Sequence, residues 1–141
     1  MRSHVVSFIL AALGFFSTVG SAVQIEAKVR DPEPWMFRWA DHTYVCAKPG
    51  QCYATNGGTS GGNTLQGTQG NGEETPVRCV ADGGLCTIYW GVNGTCQQGA
   101  NRMLYGINKT VQQARGYWLT AQLWGTYGGI NWGGCKWRCY R

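Results

Sequence analysis

The chain is expected to fold as an α+β domain, a small antiparallel sheet packed on a cysteine-bearing helix and stapled by disulfides. Three observations predict this. DHTYVCA (41–47) alternates with the period of a strand, placing His42, Tyr44 and Cys46 on one face and Thr43 and Val45 on the other. WGVNGTCQQGANRMLY (90–105) passes from a Gly/Asn-rich turn into a helix that begins at Cys96. Seven cysteines follow residue 22 of this 141-residue sequence, a density that suits a small domain held by covalent bridges.

The first residues read as a secretory signal peptide. Arg2 and His4 precede an apolar run from Val5 to Phe16, and Gly20-Ser21-Ala22 supplies small residues for cleavage after Ala22. The run is shorter than the roughly 18–20 residues that span a bilayer, so a stable membrane insertion is not expected. Residues 1–22 are therefore assigned to the signal and 23–141 to a single secreted or periplasmic domain of about 119 residues.

Val23 to Glu33 reads as an exposed leader ending in Asp31-Pro32-Glu33-Pro34, and the aromatic Trp35-Met36-Phe37-Arg38-Trp39 is expected to pack on the domain. After the His42 strand, Lys48-Pro49-Gly50-Gln51 signals a turn and Cys52-Tyr53-Ala54 a returning strand. Asn56 to Gly72 is a Gly-rich loop without the Gly-Lys-Ser/Thr of a phosphate-binding loop, and Glu73-Glu74 closes it. Val77–Val80 and Leu85–Trp90 read as short strands around Asp82-Gly83-Gly84, a hairpin that Cys79 and Cys86 would bridge if the register allowed.

Thr95 offers an N-cap hydroxyl to the next helix. Cys96, Ala100, Met103 and Leu104 form its apolar face and Gln97, Gln98, Asn101 and Arg102 its polar one. A thiol at the positive end of a helix dipole is expected to shift toward thiolate. Gly106 to Lys109 breaks the chain, a helix is expected up to Arg115 and a strand from Tyr117. The Gly- and Trp-rich tail, Gly125 to Arg141, is expected to wrap the domain through at least one disulfide from Cys135 or Cys139.

Composition narrows the chemistry. The net charge of +5 becomes +4 once Arg2 leaves with the signal, and the basic residues are scattered. Nucleic-acid binding would need a denser stripe, while an anionic surface is a plausible partner for a mildly basic protein. No metal or cofactor is expected: there is no CxxC pair, and His42 is the one histidine after residue 22. No G-x-S-x-G elbow supports a serine hydrolase. Asn93-Gly94-Thr95 and Asn108-Lys109-Thr110 match the glycosylation sequon.

Six cysteines can pair in about 15 ways, and the seventh is left over. The odd count singles out Cys96 at its helix start, and the lone His42 supplies the base that an activated thiol needs. With DHTYV preceding NGTCQQGANRML, the chain resembles the circularly permuted branch of the papain-like cysteine hydrolases and acyltransferases. That branch includes cell-wall amidohydrolases and acyltransferases related to lecithin retinol acyltransferase. The likeness covers two motifs in about half the chain, and the disulfide-rich frame departs from the commoner members.

The resemblance implies a secreted enzyme acting on amide bonds of a peptide or cell-wall substrate. Cys96 would be the nucleophile, His42 the base, and the Cys96 N–H one oxyanion donor. Trp90, Asn93 or Gln97 would supply a second donor. Tyr53, Gln51 or Asn56 would orient the histidine, Asp41 being turned to the other face of its strand. The competing expectation is a non-enzymatic interaction module for glycans or surfaces, built on the seven tryptophans and seven tyrosines.

Overall fold

The computed structural model describes residues 21–32 and 38–141. The signal-peptide core and the packing of Trp35, Met36 and Phe37 lie outside the described residues. The sheet contains five short strands: β1 (Val23–Arg30), β2 (His42–Lys48), β3 (Gln51–Tyr53), β4 (Asn63–Thr64) and β5 (Gly70–Gly72). Four helices follow: α1 (Glu74–Ala81), α2 (Cys96–Leu104), α3 (Tyr117–Trp124) and α4 (Trp132–Cys139). The architecture is the α+β arrangement expected, with the Cys96 helix against an antiparallel sheet.

The first correction concerns the segment read as an exposed leader. It is β1, the hub of the sheet: it pairs antiparallel with β2 on one side and with β4 and β5 on the other. VQIEAKVR alternates, and Ile25 and Ala27 are buried. The prolines that suggested a leader begin only at Pro32, after the strand has ended. The register sets Ala27 opposite Val45 and Arg30 opposite His42. Val45 and Ala47 join Ile25 and Ala27 in a core with Ala100, Met103 and Leu104 of α2 and with Val77 and Val80 of α1. Alternation then puts Thr43 toward α2 and His42 and Tyr44 on the opposite face.

β2 turns into β3 as expected, and Cys46 pairs with Cys52 across that hairpin. The expected hairpin around Asp82 is a second correction. Val77–Val80 lies in α1, whose Val77 and Val80 are three apart on one buried helical face, and the next segment is a single 3-10 turn at Gly84–Cys86. Cys79 and Cys86 do not bridge each other. They reach Cys139 and Cys135 respectively, so two disulfides fasten α4. The tail is held as expected, by two bridges where at least one was required.

A third correction concerns the segment after Gly116. Where a strand was expected from Tyr117, the chain forms α3. Gly116, at φ 81°, makes the bend into it, and a side chain there would strike Ala40 and the Trp39 carbonyl.

The fourth correction is the polar face of α2. Gln97, Gln98, Asn101 and Arg102, read as the polar side of an amphipathic helix, are all four buried. The segment 111–130 supplies many of their partners, and Asp41, Cys86 and Thr95 supply others. Asn101 Nδ2 donates to the Thr126 carbonyl at 2.7 Å, and its Oδ1 accepts from Val111 N at 2.8 Å. Arg102 donates to the carbonyls of Cys86, Tyr127, Gly128 and Ile130, and among the described residues no carboxylate pairs with it. Burial lowers its pKa to about 10. Each polar group that loses water thus regains a partner, the condition for burying it at modest cost.

Candidate active site

The turn before α2 fixes where the cysteine emerges. Gly91 adopts φ 80° and its N–H donates to the Gly94 carbonyl at 2.9 Å. Asn93 Oδ1 accepts from Tyr89 N at 2.7 Å, which closes the turn. Thr95 then caps the helix: its hydroxyl accepts from Gln97 N, while Gln98 Oε1 accepts from Thr95 N at 2.9 Å. This reciprocal capping box sets Cys96 as the first helical residue, as read from the sequence.

Cys96 is the free cysteine, and the other six are bridged. Its side chain is directed at β2, with Sγ 3.8 Å from the Asp41 carbonyl oxygen. The expected shift toward thiolate is corrected. Burial pushes the Cys96 thiol above its ordinary value of 9.0, outweighing the pull of the Thr43 N–H, the Thr43 hydroxyl and the N–H groups of Cys96 and Gln97. Those four donors would stabilise a thiolate once one formed. The Thr43 hydroxyl is buried without another polar partner. In this state the sulfur is a neutral thiol ringed by groups suited to an anion.

His42 lies at the start of β2, on the sheet face opposite Thr43. Its Nε2 is 2.5 Å from the Gly58 carbonyl oxygen. A carbonyl can only accept, so Nε2 carries the proton and the neutral ring keeps its lone pair on Nδ1. Burial holds the His42 pKa below 6.5, with the nearby Arg30 acting in the same direction and the Gly58 bond opposing them. Gly57 is indispensable to this seat: at φ 85°, an added Cβ would stand 2.5 Å from His42 Cε1. No hydrogen bond joins Cys96 to His42.

Both residues nevertheless line one cavity of about 440 Å³ at the end of β1 and the start of β2. Trp39, Trp90 and Pro32 give it apolar walls, and Asn56, Gly57 and Gly58 form its loop side. The structure thus brings His42, Cys96, Gln97 and Trp90 to the same opening.

Other expected site residues are placed elsewhere or already engaged. Tyr53 donates its hydroxyl to the Glu74 carboxylate, away from the cavity, so it does not orient His42. Gln51 is exposed in β3. Asn93 is buried in its turn, and its amide is spent on Tyr89, Thr87 and Ile130. That burial also closes the first sequon to a glycan in the folded chain, whereas Asn108 of the second is exposed.

Gln97 donates to the carbonyls of Asp41 and Arg115 and accepts from Thr120, which leaves no amide hydrogen for an oxyanion. Its role is to tie the start of β2 to α2 and α3. Asn56 lines the cavity but donates to the Ile88 carbonyl. Asp41 directs its carboxylate to Arg115, with Oδ2 2.7 Å from Arg115 N.

The orienting partner that sequence reasoning sought among side chains is the Gly58 backbone carbonyl. The signal for it was the glycine run of the 56–62 loop, which permits that close approach. No family model, curated protein or solved structure matches this chain.

Proposed function

We propose that this chain is a secreted thiol-dependent hydrolase or acyltransferase acting on amide bonds of a peptide or cell-wall substrate, with Cys96 as nucleophile and His42 as base. The observation that carries the reading is the convergence of the free cysteine and a histidine with an available Nδ1 on one cavity. The permuted papain-like resemblance supports it through the order of the two motifs. The signal-like residues 1–22 and the disulfides support an oxidising destination.

In this mechanism the pair rests neutral. Substrate binding brings the His42 ring and the thiol into hydrogen-bond contact. Nδ1 then takes the Cys96 proton as sulfur attacks the acyl carbon. The Cys96 N–H, one of the first-turn donors without an intrahelical partner, faces the developing oxyanion. His42 returns the proton to the departing amine, and water or an acceptor releases the acyl group. Because the resting thiol is neutral, the reaction depends on general-base help at the moment of attack.

The test is turnover of peptide and cell-wall substrates by the native chain, Cys96→Ala and His42→Gln, with mass mapping of the bridges. Both substitutions are expected to lower kcat by at least about 100-fold, the scale of general acid–base catalysis, while Cys46–Cys52 and the two α4 bridges persist. The native rate should fall below pH 6.5, where the His42 proton begins to return. Full activity in correctly bridged Cys96→Ala would sink the proposal.

A second reading, a surface-binding module, is favoured by Trp118 and Trp137, each 72% exposed. Binding to glycans or cell walls that survives Cys96→Ala and is lost in Trp118→Ser would support it.

A further inference from the structure

We propose that Arg30 makes the cavity a receptor for carboxylate-bearing ligands, so that the acyl substrate is anionic close to the bond presented to Cys96. The inference builds on the proposed function by naming a substrate class, and its test does not require turnover.

Arg30 is the last residue of β1 and the register partner of His42, so the two side chains leave the same sheet face side by side. It lines the cavity together with Cys96. Its Nε is buried and has no hydrogen-bond partner. Its Nη2 lies against Gly58, the residue whose carbonyl holds His42, and an added Cβ there would come within 2.7 Å of it.

The cavity lining also offers, among the described residues, no free counter-charge for this guanidinium. Among the described residues, Asp41 is the one carboxylate in the lining, and Arg115 engages it from its N–H at 2.7 Å and from Nη2 at 3.4 Å. Asp31, next to Arg30 in sequence, pairs with Arg115 Nη2 at 2.7 Å. Arg115 therefore takes up both Asp31 and Asp41.

What remains is a cation with an unspent donor, flanked by tryptophans. A guanidinium donates in a planar fork that fits a carboxylate through two parallel bonds, and low-dielectric walls strengthen that recognition. A neutral ligand would leave the buried Nε unsatisfied, which costs binding.

The experiment uses two thiol reagents of nearly equal size, iodoacetate and iodoacetamide, on the full chain. Each forms a sulfur–carbon bond at Cys96 and releases iodide and the thiol proton, and they differ in the carboxylate. The ratio of the iodoacetate rate to the iodoacetamide rate is expected to fall at least about fivefold in Arg30→Gln and to recover in part in Arg30→Lys. Iodoacetamide reports whether the site is intact. An unchanged ratio in Arg30→Gln, or an equal fall in both rates, would overturn the proposal.

Titration with succinate, read from the Trp39 and Trp90 indole resonances, supplies a second measurement that needs no reactive thiol. Saturable shifts in the native chain that vanish in Arg30→Gln support the subsite, and their absence from the native chain overturns it. A chain that binds succinate at Arg30 but never turns over an amide would remove the proposed enzyme while keeping the anion site.

Discussion

Helices α2 and α3 exchange the places that their compositions suggest. CQQGANRML carries four strongly polar residues, and its Arg102 side chain is 0% exposed. YWLTAQLW is apolar around most of its circumference, yet Trp118 is 72% and Leu123 62% exposed, and its one buried residue is the polar Thr120. The contrast turns on partners. Each of the four polar side chains of α2 meets at least one carbonyl, amide or hydroxyl delivered by segment 111–130. Thr120 of α3 is buried because its hydroxyl lies between Gln97 and Gln98. Hydropathy describes what a side chain loses on leaving water, whereas its position also depends on what it gains.

The largest test of that contrast removes the most polar buried group. Arg102→Met is expected to destabilise the fold by at least about 3 kcal/mol. Four carbonyls lose a donor at roughly 1–3 kcal/mol each, and relief from burying a cation offsets part of this. Urea unfolding followed by tryptophan fluorescence measures it. A loss under about 1 kcal/mol would mean that packing, and not the carbonyl cradle, holds α2 in place.

Gln98→Leu is the intermediate case. It deletes half of the capping box and the donor to Thr120 and Gly125, for an expected loss of about 2 kcal/mol. At the other extreme, Trp118→Ser is expected to change stability by no more than about 0.5 kcal/mol, because its ring covers little of the core. A larger effect there would mean that α3 buries its tryptophan in solution.

The same contrast explains what could be read in advance. The Cys96 helix was legible from Thr95 and the Gly/Asn-rich turn before it, because caps are local, and the β2–β3 hairpin from its turn residues. The free cysteine followed from an odd count and its place. β1 was missed because the segment was read together with the prolines that lie beyond it, and its eight-residue alternation went unread. α1 was missed because ETPVRCVA has short apolar pairs that suit either period. The burial of Arg102 depends on carbonyls 25 to 28 residues downstream, a separation at which sequence pattern carries no signal.

At the candidate site the proposed nucleophile and base were legible as residue types, and their surroundings were not. Gly58 acts through its backbone, which no residue motif encodes. Arg30 reaches the cavity only because β1 pairs with β2 in one register. The acidity of Cys96 went against its helix position because the sulfur is buried at the helix–sheet contact, where desolvation exceeds the first-turn dipole.

The placement of the two long bridges has a consequence for how the chain matures. Both Cys79 and Cys86 wait for partners in the last seven residues of the sequence, 49 to 60 positions away. A chain emerging from its amino end in an oxidising space therefore carries three unpaired thiols, Cys79, Cys86 and Cys96, until the tail arrives. Only docking of α2 onto β2 distinguishes the third from the other two, by burying its sulfur at the helix–sheet contact, where the cavity is the approach to it. The cysteine that the proposed chemistry needs free is thus protected first by the order of assembly.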